Sequence, residues 1–101
     1  MDEIDDLRQR IDSIDDELLR LFNERASIAV QIGHIKKSQG LPIYIPGREA
    51  QILERVRRDN PGPLSPEAVA RLYQQLMEEA KKLEDANVGF QAQSDAPDPT
   101  L

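Results

Sequence analysis

The feature that most constrains this chain is a regular spacing of apolar residues between Glu3 and about Ser38. The steps between them alternate between three and four residues, and one expected place is taken by Arg25. No proline interrupts the stretch, and its first glycine is Gly33. This spacing predicts one long amphipathic helix whose apolar stripe faces other helices. The stripe consists of Ile4, Leu7, Ile11, Ile14, Leu18, Leu21, Ile28, Ile32 and Ile35.

The length of this helix implies a partner. About 36 residues at 1.5 Å each reach roughly 54 Å, whereas an average helix in a globular protein has about 11–12 residues. The chain has 101 residues, of which 39% are hydrophobic and 4% aromatic, so it forms one small domain without a deep core of its own. The stripe therefore predicts that a second copy of the chain packs against it.

Two shorter helices follow the long one, and the predicted class is all-α. Gly40 and Pro42 prevent the first helix from continuing, and Ser65 before Pro66 is a typical helix start. The short helices together nearly match the first in length, so they could cover it. The predicted segments are a connector 39–46, a helix from Pro46 to about Asp59, a helix from Pro66 to about Asn87, and a disordered tail 89–101 after a domain 1–88.

Composition excludes several classes of function. There is no cysteine and only one histidine, His34, so neither a thiolate nucleophile nor a histidine metal site is expected, and the predicted cofactor set is empty. The net charge of -6 argues against nucleic acid as the main partner. No apolar run has the length of a membrane span, and acidic residues follow Met1, so we expect a cytoplasmic protein without a membrane partner.

Charge is unevenly distributed along the chain. Residues 1–24 hold nine acids and three bases, and residues 59–101 hold eight acids and three bases. Residues 25–58 hold seven bases and two acids. A locally cationic zone on an acidic protein suits a small anion better than a long polyanion.

Two cations interrupt or border the long stripe. Arg25 occupies a position where an unpaired charge would cost several kcal/mol, so a partner is implied. Lys36 lies eleven residues further on, which returns to within about 20° of the same helix face at a distance of roughly 16 Å. The pair could grip a ligand with separated negative groups. Alternatively, Arg25 pairs with Glu24, Glu49 or another acid, or it is a polar residue that sets the helix register. Lys36 near the helix end could equally complement the helix dipole.

Carboxylates interrupt the apolar faces of the two shorter helices. Glu49 falls on the stripe of the second helix beside Arg48, with which it could form a purely structural pair. Glu84 borders the buried face of the third helix near its C-terminus, where a negative charge is disfavoured by the dipole. Arg8 lies about 100° around the first helix from Arg25, so it is either solvated or directed at a partner. Together these charges predict a polar pocket inside a helical bundle.

The sequence resembles the all-helical, AroQ-type chorismate mutases over about residues 4–87. The resemblance rests on the order and spacing of LRQRIDSID with Arg8, NER with Arg25, IGHIK ending at Lys36, the segment from Pro42 to Glu49, and RLYQQLMEEA in the third helix. It implies a homodimer of three-helix protomers with intertwined long helices and shared active sites. Each site is completed by an arginine from the other protomer.

The resemblance also implies roles for single residues. Arg25 corresponds to a carboxylate-binding arginine within the protomer and Arg8 to the arginine delivered across the dimer. Lys36 corresponds to the lysine that contacts the ether oxygen and a carboxylate. The remaining positions implied by the resemblance are Arg48 as a lining arginine, Glu49 as the acceptor of the ring hydroxyl, Glu84 as a donor to the ether oxygen, and Ile45 and Ala80 as departures from residues found in some members.

The implied reaction is the rearrangement of the dianion chorismate to prephenate, on the route to phenylalanine and tyrosine. It needs no nucleophile, metal or redox cofactor, which agrees with this composition. An isochorismate pyruvate-lyase, which shares this fold and pocket, is a second enzymatic interpretation. A non-enzymatic helical dimer, in which the four charges on the stripes pair with one another, is a third.

Overall fold

The computed structural model describes residues 2–89, and within them the chain is helical apart from short connectors, with no strand. The predicted all-α class and the three predicted helices are confirmed. The predicted tail lies outside the described residues from residue 90 onward. No helix within residues 2–89 has the length and apolar character needed to cross a membrane. The elements are α1 (Glu3–Ser38), α2 (Pro46–Asp59), α3 (Pro66–Glu84) and a closing π-helical turn (Asp85–Gly89).

Local side chains fix where the helices begin and end. The Asp2 carboxylate caps α1 by accepting a hydrogen bond from the Asp5 backbone N–H at 2.8 Å. The Ser65 hydroxyl caps α3 in the same way, accepting from the Ala68 N–H at 3.0 Å. Gly40, with φ of 70°, turns the chain out of α1 in a conformation that favours glycine.

The helices α2 and α3 form an antiparallel pair. Arg57 at the end of α2 pairs with Glu67 at the start of α3 at 3.2 Å, and Glu49 near the start of α2 faces Lys81 near the end of α3 at 3.7 Å. Apolar residues of both helices form the core between these two contacts. The core consists of buried Ile52, Val56 and Met77, with Leu53, Val69 and Tyr73 packed against them.

The long helix α1 has two segments in different environments. Every residue of its N-terminal segment (residues 3–24) is exposed, whereas its C-terminal segment (residues 25–38) packs against α3. The expectation that α2 and α3 together cover α1 is therefore wrong: only α3 packs directly against α1, and Ile28, Ile32 and Ile35 of the C-terminal segment remain exposed. The reason is that α2 folds back along α3 and does not continue along α1.

The C-terminal segment of α1 runs parallel to α3 with a constant register. The Arg25 guanidinium lies 6.0 Å from the centre of the Tyr73 ring, and about three turns later the charge of Lys36 acts on Glu84. Both steps, from Arg25 to Lys36 and from Tyr73 to Glu84, are eleven residues. This register brings the cation at the end of α1 to the carboxylate at the end of α3.

Candidate active site

A cavity of about 370 Å³ lies between the C-terminal segment of α1, the connector, the start of α2 and the end of α3. That volume is in the range of small-molecule sites. Much of its wall is apolar, with Ile28, Ile32, Ile52 and Met77 among the lining residues. The charged residues that line it are the cations Arg25, Lys36, Arg48 and Lys81 and the acids Glu49, Glu84 and Asp85.

Arg25 reaches the cavity without an ion pair to any carboxylate of residues 2–89. Its half-buried side chain has the Tyr73 ring as its nearest recorded partner, at 6.0 Å from the centroid. The alternative of a structural pair with Glu24 or Glu49 is not realised, because Glu24 binds Arg20 at 3.0 Å and Glu49 faces Lys81. The guanidinium is therefore available to an anion in the cavity.

Lys36 joins α1 to the connector at the edge of the cavity. Its Nζ donates a hydrogen bond to the backbone carbonyl of Ile43 at 3.3 Å, and its side chain is half-buried. One hydrogen bond leaves the ammonium group with two further N–H donors. The group is thus held in place by the fold and still able to bind a ligand.

Glu49 presents an acceptor that lacks a donor. Its Oε2 atom is buried and accepts no hydrogen bond within residues 2–89, although Lys81 Nζ lies 3.7 Å away. A structural pair with neighbouring Arg48 does not form; Arg48 instead lines the cavity with an exposed side chain. An unsatisfied buried carboxylate oxygen is costly, and a hydroxyl donor from a ligand would satisfy it.

Glu84 lines the cavity with a half-buried carboxyl group. Burial raises the pKa of Glu84 above its ordinary value of 4.5, the positive charge of Lys36 opposes that rise, and the negative charge of Asp85 adds to it. The shift favours the protonated form, which is the only form that can donate a hydrogen bond to a ligand oxygen.

Arg8 does not reach the cavity of its own chain. Its side chain is 73% exposed and forms a 3.6 Å ion pair with Asp5 on the same helix. It lies seventeen residues before Arg25, which corresponds to about 25 Å along α1. Of the six predicted site residues, the structure thus brings five to one cavity and leaves Arg8 on the exposed N-terminal segment.

Three charged or polar lining residues are absent from the sequence prediction: Tyr44, Lys81 and Asp85. Lys81 has a usable signal, because it follows Met77 by four residues and precedes Glu84 by three, which places it on the same face of α3. Tyr44 has none, since the connector lacks periodicity. Lys81 Nζ lies 4.4 Å from the centre of the Tyr44 ring, in the range of a cation–π contact.

The profile of the family described as chorismate mutase type II matches residues 7–85, which include the whole cavity lining. The chain belongs to this family. The predicted resemblance is therefore confirmed. A bifunctional chorismate mutase/prephenate dehydratase from Aquifex aeolicus is 42% identical over 88 residues, which covers 83% of this chain and 24% of that protein. The chain spans about a quarter of the length of such curated relatives.

Two solved structures of chorismate mutases have the same fold. One from Thermus thermophilus superposes with a TM-score of 0.80 at 33% identity, covering 83% of this chain and 96% of the other. One from Helicobacter pylori, solved in complex with prephenate, gives a TM-score of 0.76 at 32% identity, covering 85% and 93%. The all-helical arrangement predicted from the sequence is thus that of known chorismate mutases.

The two departures within this type II chorismate mutase fold both lie at the cavity. Ile45 and Ala80 are lining residues, and Ala80 is buried. Neither departure is expected to remove a charge that the implied reaction would need. The four cations and three carboxylates leave the cavity with one net positive charge when all are ionised, and with two when Glu84 is protonated. That balance suits a small dianion.

Proposed function

We propose that this chain catalyses the rearrangement of chorismate to prephenate. The observation that carries the proposal is the convergence of Arg25, Lys36, Arg48, Glu49 and Glu84 on one cavity in a member of the type II chorismate mutase family. The reaction is intramolecular, so the protein needs to hold the substrate in its compact reactive form and stabilise the charge that develops on the ether oxygen.

Each lining charge has a role in this proposal. Arg25 and Arg48 bind the carboxylates, for which the guanidinium fork is well suited, and Lys36 places a point charge near the ether oxygen. Protonated Glu84 donates a hydrogen bond to the same oxygen. Glu49 accepts the hydrogen bond of the ring hydroxyl through the oxygen that has no donor within residues 2–89.

The proposal includes a second copy of the chain. Support comes from the N-terminal segment of α1, whose large apolar side chains are all exposed in a single protomer. An apolar stripe of this length marks an interface in a protein that stays dispersed in water. The exposed side chains are Ile4, Leu7, Ile11, Ile14, Leu18, Leu19, Leu21 and Phe22.

A twofold dimer would also give Arg8 a function. In a symmetric interface each protomer offers its N-terminal segment to the other, so Arg8 of one chain can reach the cavity of its partner. The proposed site is therefore shared, with Arg8 as an additional carboxylate-binding group. The cytoplasmic location expected from the sequence remains a prediction of the same proposal.

An assay with two substrates tests the proposed activity. Purified protein is incubated separately with chorismate and isochorismate, and prephenate, salicylate and pyruvate are quantified by chromatography. Prephenate formed from chorismate, with little pyruvate from isochorismate, is the expected result. Salicylate and pyruvate from isochorismate as the dominant products would identify the lyase instead, and no turnover of either substrate would leave the non-enzymatic dimer.

A further inference from the structure

Lys81 occupies a junction between three segments at the edge of the cavity. It belongs to α3, its Nζ lies 3.7 Å from Glu49 Oε2 on α2, and the same atom lies 4.4 Å from the centre of the Tyr44 ring on the connector. A second carboxylate of α3, Glu78 Oε1, lies 3.4 Å from it.

Lys81 forms ion pairs with two carboxylates in different surroundings, Glu78 and Glu49. Glu78 does not line the cavity and is 50% exposed, so this i,i+3 pair holds the ammonium from the solvent side. Glu49 does line the cavity and is 24% exposed. The Lys81 ammonium is thus held by Glu78 on its solvent side and attracts the Glu49 carboxylate on its cavity side.

The distance to Glu49 determines what Lys81 can do. At 3.7 Å the Nζ atom attracts the carboxylate as an ion pair but is too far to occupy Oε2 with a hydrogen bond. The oxygen therefore keeps its acceptor capacity while its orientation is restrained by the nearby cation. A closer lysine would compete with a ligand hydroxyl for that oxygen.

Lys81 also contacts the connector, through the ring of Tyr44. The connector carries two adjacent residues held by lysines from different helices, Ile43 by Lys36 through its carbonyl and Tyr44 by Lys81 through its ring. Both residues line the cavity. Lys81 therefore restrains the connector at the wall that faces Glu49.

We propose that Lys81 is a positioning residue that orients the Glu49 carboxylate and the Tyr44 ring for a hydroxyl-bearing dianion in the cavity. This role rests on the proposed function, because it assigns Glu49 to the substrate hydroxyl. Lys81 also supplies one of the four cationic charges of the cavity lining. It restrains groups that bind the ligand before and during the reaction, so its removal affects substrate binding more than the chemical step.

The test compares two neighbouring lysines. Lys81→Met keeps the length and apolar stem of the side chain without its charge, and Lys82→Met makes the same change at a 70% exposed position that does not line the cavity. We expect Lys81→Met to lower kcat/KM about 10-fold, mainly through KM. Lys82→Met should stay within about twofold of the parent, and Lys81→Arg should recover part of the loss.

A double-mutant cycle separates positioning from a merely structural role. If Lys81 acts through Glu49, Lys81→Met should lower kcat/KM by no more than about threefold in a Glu49→Gln background, because the group it orients has already changed. A full and additive loss in that background would overturn the proposal. So would an active Lys81→Met variant that matches Lys82→Met in KM and kcat.

The outcomes also distinguish this role from the proposed function itself. A parent protein that forms prephenate while Lys81→Met is unaffected removes only the role of Lys81. A parent protein that forms no prephenate removes the mutase activity, and the positioning role falls with it. Circular dichroism and thermal unfolding of both lysine variants show whether a loss comes from unfolding; Lys81→Gln is measured in the same way if Lys81→Met does not fold.

Discussion

The two segments of α1 continue one apolar pattern but differ in what surrounds them. In the C-terminal segment, residues 25–38, the side facing α3 includes buried Gly33 and half-buried Ala29, and Arg25 and Lys36 line the cavity, whereas the stripe residues remain exposed. In the N-terminal segment, residues 3–24, the same kind of pattern is exposed in a single protomer and carries Arg8. One helix therefore combines a segment that its own chain partly covers with a segment that its own chain leaves exposed.

Placing a charge on the exposed stripe has the largest expected effect. Ile11→Glu places a carboxylate where the proposed partner helix packs, and a buried unpaired charge costs several kcal/mol. We expect a monomeric or unfolded protein in sedimentation velocity and a fall in kcat/KM of about 10³-fold or more.

Ser13→Glu is the matched control for this change, because it adds the same charge to the same helix away from the stripe. It should leave the dimer and the activity intact. A monomeric Ile11→Glu protein with parental activity would show that the N-terminal segment is not needed for the site.

Mixing two inactive variants tests which chain completes which site. Arg8→Ala and Arg25→Ala should each lower kcat/KM by about 10²–10³-fold, since each removes a charge-assisted contact to a carboxylate. After subunit exchange at equal amounts, about half of the dimers are mixed and each of these has one intact site. Activity should therefore recover to about one quarter of the parental value.

Exchange is verified with differently tagged chains before activity is read. If mixed dimers are present and activity stays at the level of the separate variants, Arg8 does not act across the interface. Full activity of Arg8→Ala by itself would also remove it from the site.

Within the C-terminal segment, Lys36 is expected to affect the chemical step. Lys36→Ala should lower both kcat and kcat/KM by about 10²-fold, as is found for donors that are placed where charge develops. Lys37→Ala, at an exposed neighbouring position that does not line the cavity, is the control. An effect of Lys36→Ala on KM alone would mean that the lysine binds substrate and transition state equally.

The smallest expected effect concerns Glu84 and the pH dependence of the reaction. Burial raises the pKa of Glu84, so the protonated donor persists to higher pH than for an ordinary glutamate. We expect kcat/KM to be larger at acidic pH and to decline as pH rises through that pKa. Glu84→Gln is a permanent donor, and it should keep activity and lose the decline.

The same pKa shift has a consequence for folding. The folded protein binds the Glu84 proton more tightly than the unfolded chain does, and this difference stabilises the folded state. The stabilisation is complete below the unfolded pKa and is lost as pH rises through the folded pKa.

The pH dependence of the reaction also has an outcome that would contradict the role of Glu84. If the pH–rate profile of Glu84→Gln overlays that of the parent, Glu84 is not the donor.

Local rules made the helices predictable from the sequence. The ends of α1 and α3 depend on Asp2, Ser65 and Gly40, which act through contacts within a few residues. Sequence also indicated four of the charged lining residues, because a charge on or beside an apolar stripe requires a partner that compensates it. These residues are Arg25, Lys36, Glu49 and Glu84. Their meeting in one cavity required the fold, because no sequence pattern fixes the parallel register of α1 and α3.

Lys81 carries a sequence signal that the prediction did not use. Both Ala80 and Lys81 follow Met77 at helical spacing, three and four residues on, and the spacing alone does not choose between them. Packing brings both to the cavity. Arg8 is the opposite case, because the family resemblance gives it a role that a single chain cannot display.

The shared register of α1 and α3 implies that this fold tolerates changes of composition better than changes of length. Eleven residues separate Arg25 from Lys36 and eleven separate Tyr73 from Glu84, so the two helices meet at both ends of the same interval. One inserted residue would rotate everything after it by about 100° and carry Lys36 or Glu84 out of the cavity. We therefore expect most residues between these points to tolerate substitution, whereas an insertion or a deletion there would disrupt the cavity.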